Sequence, residues 1–199
     1  MSSEKRPYEL KKRAEQQAET RQRIVSATAD LHQEVGPART TVSEIARRAG
    51  VGRPTVYAHF PGERELIGAC SAHWRSEHPR PDLAAELAEP DPAERVRRVL
   101  EALYASYAEG APMTEKILRD RTLVPALDDL LRASMDPEMA RLGAVLAAGF
   151  GLRGAWAKRL QAMIAVALDF WTWKRLDAEG LGADEAAALM AEAVSCLGG

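Results

Sequence analysis

Cysteine is nearly missing from this chain. Cys70 and Cys196 are its only two, far apart and each inside an apolar-periodic segment, a pattern that predicts buried free thiols and excludes a disulfide framework. Alternating runs of Val, Ile and Thr are missing too, while Ala, Leu, Glu and Arg dominate, so the pattern predicts an all-α fold. No apolar run approaches the roughly 20 residues of a membrane-spanning helix; the longest, Leu142 to Phe150, is far shorter. The opening "MSSEKRPYELKKRAEQQAET" lacks the apolar stretch of a secretory signal, which predicts a cytoplasmic location. There is no nucleophile motif and no phosphate-binding glycine loop, so an enzyme is not expected. His73 and His78 stand five apart, the wrong spacing for two ligands on one helix face, and neither a metal nor a cofactor is implied. Aromatics form 6% of the residues, but Trp156, Phe170, Trp171 and Trp173 gather late in the chain.

The 199 residues, 46% apolar and 28% charged, suit one or two ordinary domains. Net charge is −2, unevenly divided. Residues 1–75 carry 13 Lys and Arg against 9 Asp and Glu, a net +4, and residues 76–199 carry 14 against 20, a net −6. A basic first domain (1–75) that approaches a polyanion and an acidic second domain (76–199) are therefore expected. Helices are predicted from Ala14 to Val35, from Val42 to Ala49, from Pro54 for about two turns, and around Leu66, Ile67, Cys70 and Trp74. After a proline-rich connection at 78–92, further helices are expected over Pro92–Ala108, Met113–Asp120, Thr122–Phe150 divided at Pro125 and Pro137, Trp156–Leu176 and Asp184–Leu197, for about nine helices in all.

The sharpest local signal is "TTVSEIARRAGVGRPTVYAHF", residues 40–60. Thr41 with Glu44 is the pattern in which two side chains reciprocally satisfy free N–H groups at a helix start. Gly50 supplies a left-handed stop, and Pro54, which fits only the first turn of a helix, forces an immediate restart. Two short helices joined by such a turn are the geometry of a helix-turn-helix, whose second helix enters the DNA major groove. Arg53, Pro54 and Thr55 then stand at the end of that helix from which side chains reach base edges.

From Arg21 to Ala69 the chain resembles the DNA-binding domain of the tetracycline-repressor (TetR) family of bacterial regulators. The resemblance rests on Ile24 and Ala27, Gly36, Thr41-Val42, Ile45-Ala46, Ala49-Gly50-Val51, Thr55-x-Tyr57-x-His59-Phe60 and Leu66. It implies a homodimer whose first three helices bind a palindromic double-stranded operator and whose second domain takes a small effector that releases the DNA. It also implies phosphate contacts from Tyr57, His59 and Thr41, with Phe60 packed inside. Glu63 stands where the family often has a lysine, leaving Arg64 as the replacement contact, and Gly52 stands where a serine often caps the reading helix.

His73 and Trp74, ending the fourth helix, join Tyr104, Tyr107, Met113, Phe170 and Trp171 as candidates for an apolar, aromatic-lined effector pocket, each being an ordinary core residue on the alternative reading. The last two helices, small and apolar along one stripe, are expected to form the dimer interface. The basic "KRPYELKKR" at residues 5–13 is either an arm that touches DNA or a solvated extension.

Overall fold

A computed structural model describes the backbone of residues 5–198 and the side chains of residues 9–197. Among the described residues there is no strand, and the all-α class is observed. The elements are α1 (Lys5–Glu34), a 3-10 turn (Pro37–Arg39), α2 (Val42–Ala49), α3 (Arg53–His59), α4 (Glu63–Glu77), α5 (Ala84–Leu87), α6 (Pro92–Asp120), α7 (Pro125–Ala133), α8 (Met135–Ala148), α9 (Gly154–Leu168), α10 (Phe170–Ala178) and α11 (Ala183–Gly198). They fall into two compact units, one of residues up to Pro79 with Pro112–Leu130, the other of Arg80–Ala111 with Leu131–Gly199.

In the first unit, α1 lays Ile24, Ala27 and Leu31 against Ile45, Ala46 and Ala49 of α2 and Val56 of α3, with Phe60 and Leu66 closing the cluster. Each large aliphatic side chain removed from water here contributes about 1.5–3 kcal/mol. Small Ala46 and Ala49 allow the backbones to approach. In the second unit α9 is the centre: it packs against both α8 and α11, burying Leu160, Ile164, Ala167 and Leu168. Gly143 of α8 faces Leu168, where an added Cβ would sit 3.5 Å from Leu168 Cδ1.

Several sequence expectations are corrected. Helix α1 begins at Lys5, nine residues before the expected start, and takes in the "KRPYELKKR" segment. The expected break at Pro112 does not occur: α6 runs continuously from Pro92 to Asp120. A proline removes one hydrogen bond, a local cost of about 3 kcal/mol, and burial of Tyr104 before it and Met113 after it outweighs that. The helix expected over Trp156–Leu176 is two. Asp169 takes an extended backbone and its carboxylate accepts the N–H groups of Trp171 (3.0 Å) and Thr172 (3.3 Å), starting α10. Trp156 and Trp171, both within that expected helix, are exposed. Cys70 is buried as expected, whereas Cys196 is exposed. No helix among the described residues is long and apolar enough to cross a membrane.

Candidate nucleic-acid interface

The reading head is made by short-range chemistry. Thr41 caps α2 by accepting the Glu44 N–H on its hydroxyl at 3.2 Å. The reciprocal half of the expected box does not form, because the Glu44 carboxylate turns to Arg47 (Nε 3.0 Å), and that hydrogen bond holds its pKa below the usual carboxylate range. At the other end Gly50 is left-handed (φ 65°, ψ 39°) and Val51 N–H donates back to Ala46 O at 3.0 Å, which stops the helix in one residue. Gly52 caps α3 through its backbone alone, with Thr55 N–H reaching Gly52 O at 2.9 Å.

With Val56 buried beneath it, α3 turns its other side outward. Arg53 and Pro54 are exposed, Thr55 and His59 are half-buried, and Tyr57 is 49% exposed, high for an aromatic ring. Arg53 has no ion-pair partner among the described residues, unlike Arg47 with Glu44 and Arg48 with Glu34. Thr41 is exposed at the start of α2. The helix α3 thus brings Arg53, Pro54, Thr55, Tyr57 and His59 together on one short element. Arg64, the second residue of α4, is exposed but ion-paired with Asp129 of α7, so a phosphate contact there would exchange one anion for another.

Behind the head lies a clasp that sequence reasoning missed. Gly36, at φ 94° and ψ 159°, passes so close to the end of α6 that an added Cβ would meet Asp120 Oδ2 at 2.3 Å and Arg119 Nη2 at 2.4 Å. Asp120, 2% exposed, accepts the Ala38 N–H at 3.0 Å and the Arg119 Nε–H at 2.7 Å. Arg119 also donates to Val35 O at 3.0 Å. Burial raises the Asp120 pKa, but the hydrogen bonds from Arg119 and Ala38 and the charges of Arg119 and Arg39 outweigh it, so the carboxyl stays below its ordinary value. The clasp fixes the connection that leads into α2. Its only sequence signal is the Gly36-Pro37 pair.

The seven effector-pocket candidates divide between the units. In the first, His73 bridges two helices: its Nδ1 lies 3.3 Å from Gln22 Nε2 and its Nε2 lies 3.2 Å from Ser26 Oγ, both on α1. Trp74 stacks on His78 with ring centroids 3.7 Å apart, and Met113 is buried. In the second, Tyr104, Tyr107, Phe170 and Trp171 are neighbours, with Tyr107 and Phe170 edge to face at 5.5 Å and Phe170 and Trp171 at 5.3 Å. Trp173, not among the candidates, completes the group at 5.4 Å from Phe170. The Tyr104 and Tyr107 hydroxyls each donate at 2.7 Å, to the carbonyls of Ala167 and Leu168 that the end of α9 releases.

Residues 24–70 match the family described as bacterial regulatory proteins, tetR family. The chain is 40% identical over 81 residues to the HTH-type transcriptional regulator SrpR of Pseudomonas putida, covering 38% of this chain and 37% of that one, so the match spans little more than a third of SrpR. It is 31% identical over 143 residues to the HTH-type transcriptional repressor Rv3405c of Mycobacterium tuberculosis, covering 70% of this chain and 71% of the relative. A TetR-like transcriptional regulator from Rhodococcus sp. RHA1 shares the fold with a TM-score of 0.64 and 20% identity, over 88% of this chain and 93% of that one.

Proposed function

Since the chain belongs to the tetR family of transcriptional regulators and carries that family's DNA-binding helix-turn-helix, we propose that it acts as a repressor. Two copies bind a palindromic operator, and a small, largely apolar effector releases them. The observation that carries this reading is the outward face of α3, where an unpaired Arg53 stands with Thr55, Tyr57 and His59 above a rigid apolar base. One seven-residue helix reads too few bases to select a site from a genome. Two of them, a helical turn of DNA or a multiple apart, read enough.

Pairing through α9 and α11 is supported by their outer faces, where Trp156, Val166 and Leu189 are all about half exposed. Large apolar side chains left half exposed on these two helices fit burial by a second copy. In this reading Arg53 contacts a base, Pro54 and Thr55 set the fit in the groove, and Tyr57, His59, Thr41 and Arg64 hold phosphates. The effector is taken to bind against the aromatic group that includes Tyr107, Phe170 and Trp171. His73, Trp74 and Met113 are proposed to respond to it, and release requires that the effector prefer the DNA-incompetent state.

A second reading has an observation in its favour. Tyr104, Phe170 and Trp173 are buried and both tyrosine hydroxyls are already bonded, which suits a closed core and a regulator that answers to its own concentration or to a protein partner. An operator selected from a random-sequence duplex pool, then titrated with flat aromatic compounds, separates the two. Release by one of them supports the effector reading, and unchanged affinity across the set favours the second. Arg53→Ala is expected to lose about 1–3 kcal/mol at one base position per half-site, whereas Tyr57→Phe weakens all duplexes alike. Uniform loss for both in a binding series over operator variants removes the base-reading role of Arg53.

A further inference from the structure

The side of α1 that packs the reading head does not end where the domain ends. Residues 31, 27 and 24 place Leu31, Ala27 and Ile24 against α2 and α3. The same three-and-four spacing continues outward through Thr20, Gln17 and Arg13, with Gln16 and Lys12 beside them. At residue 24 the stripe changes from aliphatic to hydroxyl, amide and guanidinium. From Glu9 to Glu19 every residue is exposed, so none of the described residues covers it. Lys11 and Glu15 pair with each other on the opposite side, Glu9 stands at the outer end and Glu19 at the rim.

This extension leaves the domain beside the helix-turn-helix. The Arg21 guanidinium lies 4.6 Å from the centre of the Phe60 ring, which ends α3, and an added Cβ on Gly50, the turn between α2 and α3, would sit 3.8 Å from Arg23 Nη1. The two arginines flank the stripe where it emerges. A side of α1 continuous with the DNA-reading elements, lined with donors and carrying two cations, is complementary to a phosphate backbone.

The geometry points to the first turns of α1 as a second DNA-contacting element, in which Lys12 and Arg13, with Gln16 and Gln17, hold phosphates flanking the bases that α3 reads. The inference rests on the DNA-binding reading above. From Thr20 to Lys12 the helix advances about 12 Å, at about 1.5 Å per residue, enough to follow the backbone past some 3–4 further base pairs at about 3.4 Å each. The contact carries no base information. It widens the footprint and steepens the salt dependence.

The test uses the full chain and a 40-base-pair duplex that the wild-type protein selects from a random pool, alongside an unrelated duplex of the same length. Lys12→Gln/Arg13→Gln is compared with Lys11→Gln, with circular dichroism confirming that all remain helical. For each protomer bound, the double variant should flatten the plot of log affinity against log salt by about 1.8, or about 0.9 per lost phosphate contact. Its affinity should then change about tenfold less than that of the wild type between 50 and 200 mM salt. Its hydroxyl-radical footprint on the selected duplex should lose the flanking protections and keep the central ones, and its salt slope should flatten equally on the unrelated duplex, while Lys11→Gln matches the wild type. An unchanged slope and footprint in the double variant, with the wild type binding normally, overturns the inference and leaves the function of α3 intact. Equal flattening by Lys11→Gln also overturns it, by showing a general charge effect. A wild-type protein that enriches no duplex from the pool overturns both.

Discussion

Gly36→Ala tests whether the clasp behind the reading head is a single cooperative unit. A residue other than glycine at φ 94° and ψ 159° costs of order 1–3 kcal/mol in backbone strain alone. Its Cβ would also sit 2.3 Å from Asp120 Oδ2, so the carboxylate must leave. With it goes a hydrogen bond between a charged acceptor and the Ala38 N–H, worth about 1.5–3 kcal/mol. Gly36→Ala should therefore cost about 3–6 kcal/mol, a large part of the ~5–15 kcal/mol that holds an ordinary domain. Asp120→Ala alone forfeits only the hydrogen-bond share, about 1.5–3 kcal/mol. In the double variant that share is lost once, so the two single costs should exceed the double by about 2 kcal/mol. Urea unfolding of the four proteins, followed by circular dichroism, measures the difference, and hydrogen exchange at Ala38 reports the broken bond directly. Costs that add within about 0.5 kcal/mol would refute the reasoning, since independent sites add and a shared clasp does not.

The reading head was legible because every determinant is local. Thr41, Gly50, Gly52 and Pro54 act on backbone within a few residues of themselves, and a rule about caps and breaks sees that distance. What lay beyond it was not legible. Asp120 is far along the chain from the loop it holds, and nothing around "LRDRT" distinguishes that aspartate from a solvated one. The break at Asp169 was hidden for a different reason. Apolar residues continue on both sides, so periodicity shows no gap, and the informative signal was one capping side chain ahead of Trp171 and Thr172. Pro112 misled in the opposite direction, because a local penalty was weighed without the burial on either side of it. Among the aromatic residues, composition disclosed which rings are present but not that the Tyr104 and Tyr107 hydroxyls are spent on the end of α9.

Thr41→Ala should cost about 1 kcal/mol of stability through the lost cap, and further operator affinity if its hydroxyl also meets a phosphate; a binding loss no greater than the fold loss removes that second role. His32 is buried beside Cys70, its Nδ1 3.5 Å from the Cys70 Sγ, and burial lowers its pKa to about 4 against a pull upward from the Asp120 charge. The unfolded chain thus takes up the proton first, near pH 6.5, so stability is full above that pH and falls as pH drops toward 4, by roughly 2 kcal/mol at pH 5. Urea midpoints that do not move between pH 7.5 and 5, or that move as much in His32→Gln, would contradict this. The sharpest division of the two functional readings comes from Tyr104. Burial, and then the nearby Asp169 charge, raise the pKa of its hydroxyl, which stays a neutral donor to Ala167 O at 2.7 Å. Tyr104→Phe keeps the ring and strands that carbonyl, a cost of about 1–3 kcal/mol where water cannot reach it. If the residue is only core, urea unfolding records this loss while operator affinity and effector response stay at wild-type values. If an effector draws on the hydroxyl, its midpoint for releasing DNA shifts in Tyr104→Phe by more than the stability change explains. A variant as stable as the wild type would show that the end of α9 does not depend on this bond, and the core assignment of Tyr104 would fall with it.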